Sequence, residues 1–328
     1  MSVSNPTVLV IGGAGYIGSH MVRELIEKNY SVVVLDNFST GHRQLVTGGQ
    51  LIEGGLGNVD LLRDIFSKYP IDAVMHFAAF SLVGESVQAP LKYYRNNVAE
   101  TINLIETMIG HGIKRFIFSS TAAVYGEPEK IPIAENHPLN PTNPYGSTKL
   151  TVERMLADCD TAHGLKSISL RYFNAAGAHP SGMIGEMHEP ESHLIPLVLR
   201  AVLSHVPIKI FGSDYPTPDG TCIRDYVHVC DLAQAHLLAL QTLLEGGGSQ
   251  VFNLGNSVGF SVRQVIELAR QVTGRAIEAV EHDRRPGDPA VLVADSSKAR
   301  RILGWSPVYE NLEAIIESAW RWHRSQHG

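Results

Sequence analysis

The sequence predicts an α/β protein in which a doubly wound parallel sheet is joined to a smaller α/β C-terminal lobe, and three observations carry that expectation. The first is the glycine-rich turn Gly12-Gly13-Ala14-Gly15-Tyr16-Ile17-Gly18, set between the apolar run Val8-Leu9-Val10-Ile11 and a helical pattern that begins near Tyr16. The second is Asp36, which closes the next apolar run, Val32-Val33-Val34-Leu35, at the separation where a carboxylate accepts from a nucleotide ribose. The third is the continued alternation of short apolar runs with amphipathic stretches, which feeds βαβ units into one parallel sheet. Together they describe a Rossmann-type fold that binds a dinucleotide.

Each glycine of the turn has a task. Gly12 permits the tight exit from the first strand, Gly15 lets backbone N–H groups approach a pyrophosphate, and Gly18 lets the helix pack closely. The pyrophosphate sits on the helix N-terminus, where unpaired donors and the macrodipole favour an anion. Ile17, Met21, Val22, Leu25 and Ile26 recur at helical spacing, and that helix stops near Asn29. A second strand covers 31–35, followed by a polar loop through Asn37, Phe38, Ser39, Thr40 and Gly41 that suits the adenosine end. A third strand at 50–53 and a short helix at 59–68 flank a glycine-rich stretch, 54–57. The fourth strand, 72–79, ends in small residues that let backbone lie against a cofactor.

A long helix is predicted over 90–109 and a fifth strand over 115–119. The next helix, 145–163, follows Pro141 and Pro144, which discourage helix upstream. A sixth strand covers 166–172, and beyond Asn174 the composition shifts to Gly, Pro and His until His193. That shift divides the chain into a dinucleotide-binding domain, 1–175, and a mainly substrate-binding lobe, 176–328. The second lobe is expected to hold helices at 194–204 and 262–273, a strand at 208–211 and terminal helices at 297–303 and 312–324. Segments 225–229, 231–243 and 251–254 read as returning to the first domain, so the lobes interleave.

A chain of 328 residues is long enough for a large core and two lobes. Its 44% hydrophobic and 18% charged content excludes disorder. A net charge of -6 without a Lys/Arg-rich patch argues against nucleic acid as a partner. No basic segment followed by an apolar one opens the chain, and no apolar run reaches membrane-spanning length, so no membrane association and a cytoplasmic location are expected. Cys159, Cys222 and Cys230 form no CxxC pair, and their odd number suits a reducing compartment. The 15 histidines include no HExxH; His179, His188 and His193 come closest to a cluster, but Pro180, Gly182 and Gly185 mark that stretch as loop. No metal is expected.

Tyr145 and Lys149 lie four positions apart, on one face of a helix. A free tyrosine, with a pKa of about 10, is a poor base at neutral pH. A neighbouring lysine and the positive ring of an oxidised nicotinamide both favour phenolate and move it into a useful range. The preceding strand ends in Phe118-Ser119-Ser120-Thr121, which brings hydroxyls to the C-terminal edge of the sheet, where ligands of open α/β folds bind.

These residues, with His76-Phe77-Ala78-Ala79 and Arg171-Tyr172-Phe173-Asn174, resemble the extended short-chain dehydrogenase/reductase superfamily. Within it, residues 36–41, 177–182 and 224–229 resemble the UDP-glucose 4-epimerases, and the likeness runs from about Val8 to about Trp322. The resemblance implies a tightly held NAD, reversible inversion at C4 of a UDP-hexose, and a homodimer built on helices 90–109 and 145–163. It implies that Tyr145 removes the 4-hydroxyl proton, Lys149 holds the cofactor ribose and keeps the tyrosine ionised, and Thr121 hydrogen-bonds the reacting oxygen. The implied NAD contacts run from Gly12, Gly15, Tyr16, Ile17 and Gly18 through Asp36, Asn37, Ser39, Thr40 and Gly41. They continue through Gly55, Leu56, Phe77, Ala78, Ala79, Ser81 and Asn96 to Ser119, Tyr145, Lys149 and Tyr172. For the UDP-sugar the implied contacts are Thr121, Tyr145, Phe173, Asn174, His193 and Leu194, then Lys209, Phe211, Arg224, Arg285, Asp288 and Leu292. Arginine forks suit a diphosphate, and asparagine offers both donor and acceptor.

The chain departs from that pattern at named positions. Gly55 replaces an acidic residue that contacts the adenine amine, Ser81 replaces a lysine near the cofactor, and His193 replaces an asparagine near the diphosphate. Leu292 stands where a large aromatic narrows the space beside the sugar's C2 substituent, so N-acetylated UDP-hexoses are expected to enter. Three other functions use the same frame. A dehydratase or decarboxylase would need an acid/base pair where Ala122 and Ala123 stand. A sugar dehydrogenase would accumulate NADH, and an NAD-sensing regulator would have no use for Tyr145, Lys149 and Thr121 together. Asp36 is expected to select NAD over NADP, because its charge repels a 2′-phosphate.

Overall fold

The computed structural model describes residues 5–285 and 287–327. Its first lobe is built on a seven-stranded sheet to which each apolar run contributes one parallel strand: β1 (Thr7–Ile11), β2 (Ser31–Asp36), β3 (Gln50–Glu53), β4 (Ile71–His76), β5 (Arg115–Thr121), β6 (Lys166–Tyr172) and, after a long excursion, the strand Gln250–Leu254. The spatial order is β3-β2-β1-β4-β5-β6 followed by that late strand. The order reverses between β1 and β4, which opens a crevice at their C-terminal ends. Helices α1 (Tyr16–Glu27) and α2 (Val59–Lys68) follow the first and third strands. Between β4 and β5 lie α3 (Val83–Gln88), α4 (Pro90–Tyr94) and α5 (Glu100–Gly110), and α6 (Pro144–His163) joins β5 to β6.

In the first lobe, four features differ from the sequence expectation. The fourth strand ends at His76 rather than Ala79, because the chain there swings across the glycine turn: Phe77 N donates to Ile11 O at 2.8 Å, and a Cβ on Gly12 would stand 2.6 Å from Ala78 N. The helix predicted over 90–109 is interrupted by a π-helical turn, Arg95–Ala99. That wider turn directs the buried Asn97 inward, where it bonds both backbone groups of Phe80 and the Thr148 hydroxyl. Helix α3 was not expected. Pro144, anticipated upstream of its helix, is the first residue of α6, a position where its missing N–H costs nothing, and Asn143 caps the turn by accepting from Gly146 N.

The second lobe contains β7 (Asn174–Ala176), α7 (Leu194–Ser204), β8 (Ile208–Phe211), β9 (Ile223–His228) and α8 (Val229–Leu244). Then come β10, the late strand Gln250–Leu254, with β11 (Gly259–Ser261), α9 (Val262–Thr273), β12 (Ala279–His282), β13 (Val291–Leu292), α10 (Ser297–Ile302) and α11 (Leu312–His327). β10 pairs with β6 in the large sheet. β9 does not return: it pairs with β7, β11 and β13 in a separate sheet, where its Asp225 carboxylate accepts from Asn256 N, Ser257 N and Ala294 N. Apolar side chains of α1 and α8 cover one face of the large sheet, those of α2, α5 and α6 the other. A third core joins α7, α9 and α11. Among the described residues no helix is long and apolar enough to cross a membrane.

Candidate active site

A crevice opens at the C-terminal ends of β1 to β4. Of the expected dinucleotide contacts, Gly12, Gly15, Asp36, Asn37, Ser39, Thr40, Gly41, Gly55, Leu56, Phe77, Ala78, Ala79 and Asn96 line it. Gly12 has φ +78, and a Cβ on Gly18 would stand 2.1 Å from Gly12 O, so the helix rests on the turn as the spacing predicted. Asp36 uses both oxygens on backbone: one accepts from Ala14 N and the other from Phe38 N, each at 2.8 Å. It therefore fixes the glycine turn as well as facing the crevice.

Some expected contacts lie elsewhere. The Tyr16 hydroxyl donates to Gly177 O at 2.6 Å, tying α1 to the second lobe, and Ile17 packs into the core. No side chain caps α1, so what this turn offers a ligand is its free N–H groups. Ser81 is exposed and outside the crevice lining. Sequence reasoning missed Phe80 and Glu100, which also line the crevice. Glu100 is four residues past Asn96, one helical turn, and that spacing was the available signal.

Where the crevice meets α6, the strand end Ser119-Ser120-Thr121 organises the reactive groups by alternation. Lys149 Nζ donates to Ser119 O at 2.8 Å and lies over the Phe118 ring, 4.8 Å from its centre. The Thr121 hydroxyl bonds the Tyr145 phenol, and the Ser119 and Tyr172 hydroxyls bond each other. Ser120 points the other way and donates to buried Glu153 at 2.5 Å. Glu153 in turn takes the Arg171 fork, with Nε at 2.9 Å. Burial pushes the Lys149 ammonium down to about 7, against the pull of Glu153. Burial also raises the Tyr145 phenol, which the Thr121 hydrogen bond opposes.

The residues expected to meet the nucleotide sugar gather in groups across from this edge. Arg224 pairs with Asp288, Arg285 lies 3.9 Å over the Phe211 ring, and Leu292 and Phe173 each pack against a cluster of Ala122, Tyr125 and Ile133. Asn174 aligns with Tyr226 and Leu292 with Arg224 in the small sheet. Lys209 is exposed on β8, and Leu194 opens α7. His193, just before α7, bonds Glu186. His188 also pairs with Glu186, at 3.1 Å, and the polar atoms of Glu186, His188, Glu191 and His193 lie within 4.8 Å of one another. Two of the three loop histidines thus form one cluster on a buried carboxylate. His179 stays apart, bonded to Ser181.

The sequence profile of the NAD dependent epimerase/dehydratase family matches residues 8–255. The UDP-glucose 4-epimerase of Halalkalibacterium halodurans is 54% identical over 98% of this chain and 97% of its own. The chain belongs to this epimerase family. Its fold is shared with the Brucella ovis UDP-glucose 4-epimerase solved in complex with NAD, at 47% identity and TM-score 0.94 over 96% and 97% of the two chains. It is also shared with the UDP-Glc/GlcNAc 4-epimerase of Campylobacter jejuni, at 42% identity and TM-score 0.86 over 98% and 100%. Residues of this family member fit NAD: an uncapped α1, a turn at Gly12 with no room for a side chain, and a carboxylate facing the crevice.

Proposed function

We infer that the protein interconverts UDP-galactose and UDP-glucose by reversible inversion at C4, with NAD bound in the crevice. The observation that carries this is the meeting of Tyr145, Thr121 and Lys149 at the end of β5, beside a crevice that fits a dinucleotide. When bound, NAD supplies a reversible hydride acceptor, so the net redox change is zero. Tyr145 takes the 4-hydroxyl proton and returns it to the 4-keto sugar, which turns over within the site. Thr121 orients the reacting oxygen. Lys149 holds the cofactor ribose, and its charge draws the buried phenol toward phenolate. The expected residues keep their roles here: the crevice lining for NAD, with Tyr16, Ile17, Gly18, Ser81, Ser119 and Tyr172, and the groups around Asn174, His193, Leu194, Arg224, Arg285 and Asp288 for UDP.

In this reading 1–175 with α8 and β10 forms the NAD domain and the rest of 176–328 the sugar lobe. Exposed Val83, Val87, Leu91, Tyr94 and Ile102 on α3 to α5 support a homodimer through those helices, and the protein works in the cytoplasm. Leu292, smaller than an aromatic ring, supports turnover of N-acetylated UDP-hexoses as well. The deciding experiment incubates purified protein with UDP-galactose and no added NAD. UDP-glucose is the expected product. Stoichiometric NADH would replace epimerisation by net dehydrogenation, and no reaction even with added NAD would overturn the reading.

A further inference from the structure

The chain lacks an acidic side chain at Gly55, yet a carboxylate stands over the same end of the crevice. Glu100, in the first turn of α5, lines the crevice together with Gly55 and Leu56. Its Cδ and one oxygen lie 3.6 Å from where a Cβ on Gly57 would be, and burial raises its carboxyl while the Gly57 backbone favours the charged form. This end is fixed by register. Asp36, at the ribose position, pairs with Glu53, and the chain then runs two residues further to Gly55. A base carried beyond the ribose therefore meets Gly55, Leu56 and Glu100. The contact with the Gly57 backbone leaves acceptor capacity on the carboxylate.

Building on the NAD reading above, we propose that Glu100 receives the exocyclic amine of the adenine, supplying from α5 the carboxylate that β3 does not carry. The complement is chemical: an amine donates, and a carboxylate only accepts. A hypoxanthine base presents an oxygen at that position and is repelled. Gly55 itself has room for a side chain, since its nearest would-be neighbour is Asn37 Nδ2 at 3.5 Å, an ordinary contact. The carboxylate can therefore be moved back.

The test exchanges the purified protein against equal concentrations of NAD and nicotinamide hypoxanthine dinucleotide, then separates the bound nucleotides by chromatography after denaturation. Wild type is expected to prefer NAD by at least about tenfold, the scale of one hydrogen bond to a charged group. Glu100→Ala should take both within about twofold, and adding Gly55→Asp to it should restore the preference. Glu100→Gln, which offers donor and acceptor alike, should also take both, and it serves if the alanine variant does not fold. A wild type without preference, or a folded Glu100 variant that keeps it, overturns the proposal. Binding of neither dinucleotide by wild type overturns the NAD reading itself.

Discussion

On the sheet side of the cleft, two charged side chains are held by backbone: Asp36 by Ala14 and Phe38, Lys149 by Ser119 O. Across from it, charges hold each other: Arg224 with Asp288, Arg284 with Asp214, and Glu186 with His188 and His193. The histidines show the same division. His20 on α1, His76 on β4 and His236 on α8 are buried, and burial pushes them down to about 3, 3 and 4. Burial would also lower His188, but Glu186 and Glu191 outweigh it and raise it to about 10. The difference teaches that the cofactor wall is finished by the fold. In the proposed function, the wall facing the sugar is a set of ion pairs that an anionic substrate enters by exchanging partners.

The largest effect that separates the two walls is at Tyr145. Tyr145→Phe removes the proton acceptor and leaves the backbone frame of the crevice intact. Turnover of UDP-galactose is expected to fall on the order of a thousandfold, while the dinucleotide content of the purified variant, read by absorbance, stays that of wild type. Loss of both together would show that the cofactor wall depends on the reactive side chain and break the comparison.

A smaller effect is in the pH dependence of stability, where the buried neutral histidines and the histidine paired with Glu186 have opposite signs. His20, His76 and His236 stay neutral when folded and take protons when unfolded. Their contribution is full above about pH 6.5 and is lost as the pH falls toward 3 to 4, at up to about 1.4 kcal/mol per pH unit for each. His228, pushed down to about 3 by burial, adds to the same limb from the second lobe. His188 is protonated when folded, so its contribution is full below about pH 6.5 and is lost as the pH rises through about 10. Denaturant unfolding across the pH range checks both limbs. On unfolding near pH 5 the four histidines should take up about four protons while Asp225, raised by burial to about 7, releases about one, and the stability difference between wild type and His188→Gln should shrink as the medium becomes alkaline. An acid limb of one proton or less would refute the neutral-histidine assignment.

How much of this was legible in the sequence follows the same division. Gly12, Asp36 and the Tyr145/Lys149 pair were readable because local spacing fixes them: a turn, a strand end and one helical face. The end of the fourth strand and the π-turn at 95–99 were not. Both depend on contacts distant in sequence, Phe77 with Ile11 and Asn97 with Phe80 and Thr148. The 225–229 segment read as part of the large sheet because a short apolar run states a strand and not its partner. On the sugar wall, the Glu186 cluster was hidden by its loop: His188 and His193 are five apart, with proline between them, and no helical or strand period joins them. Glu153 and Arg171 formed a buried pair that spacing did not announce, since they meet only when α6 lies on β6.

The smallest effect is one of selectivity, at Leu292, and it tests whether the sugar wall decides what is turned over while the sheet wall decides how. Leu292 aligns with Arg224 in the small sheet and packs against the apolar cluster that holds Ala122 and Tyr125. Leu292→Tyr adds a ring at that point without touching Tyr145, Lys149 or Thr121. Turnover of UDP-N-acetylgalactosamine is expected to drop at least about tenfold relative to UDP-galactose, the size of a steric mismatch in a pocket, while kcat for UDP-galactose stays within about threefold. Parallel rate measurements on the two sugars decide it. Equal losses on both would mean that the ring disturbs the sheet wall, and an unchanged ratio would place the selecting contact elsewhere on the lobe.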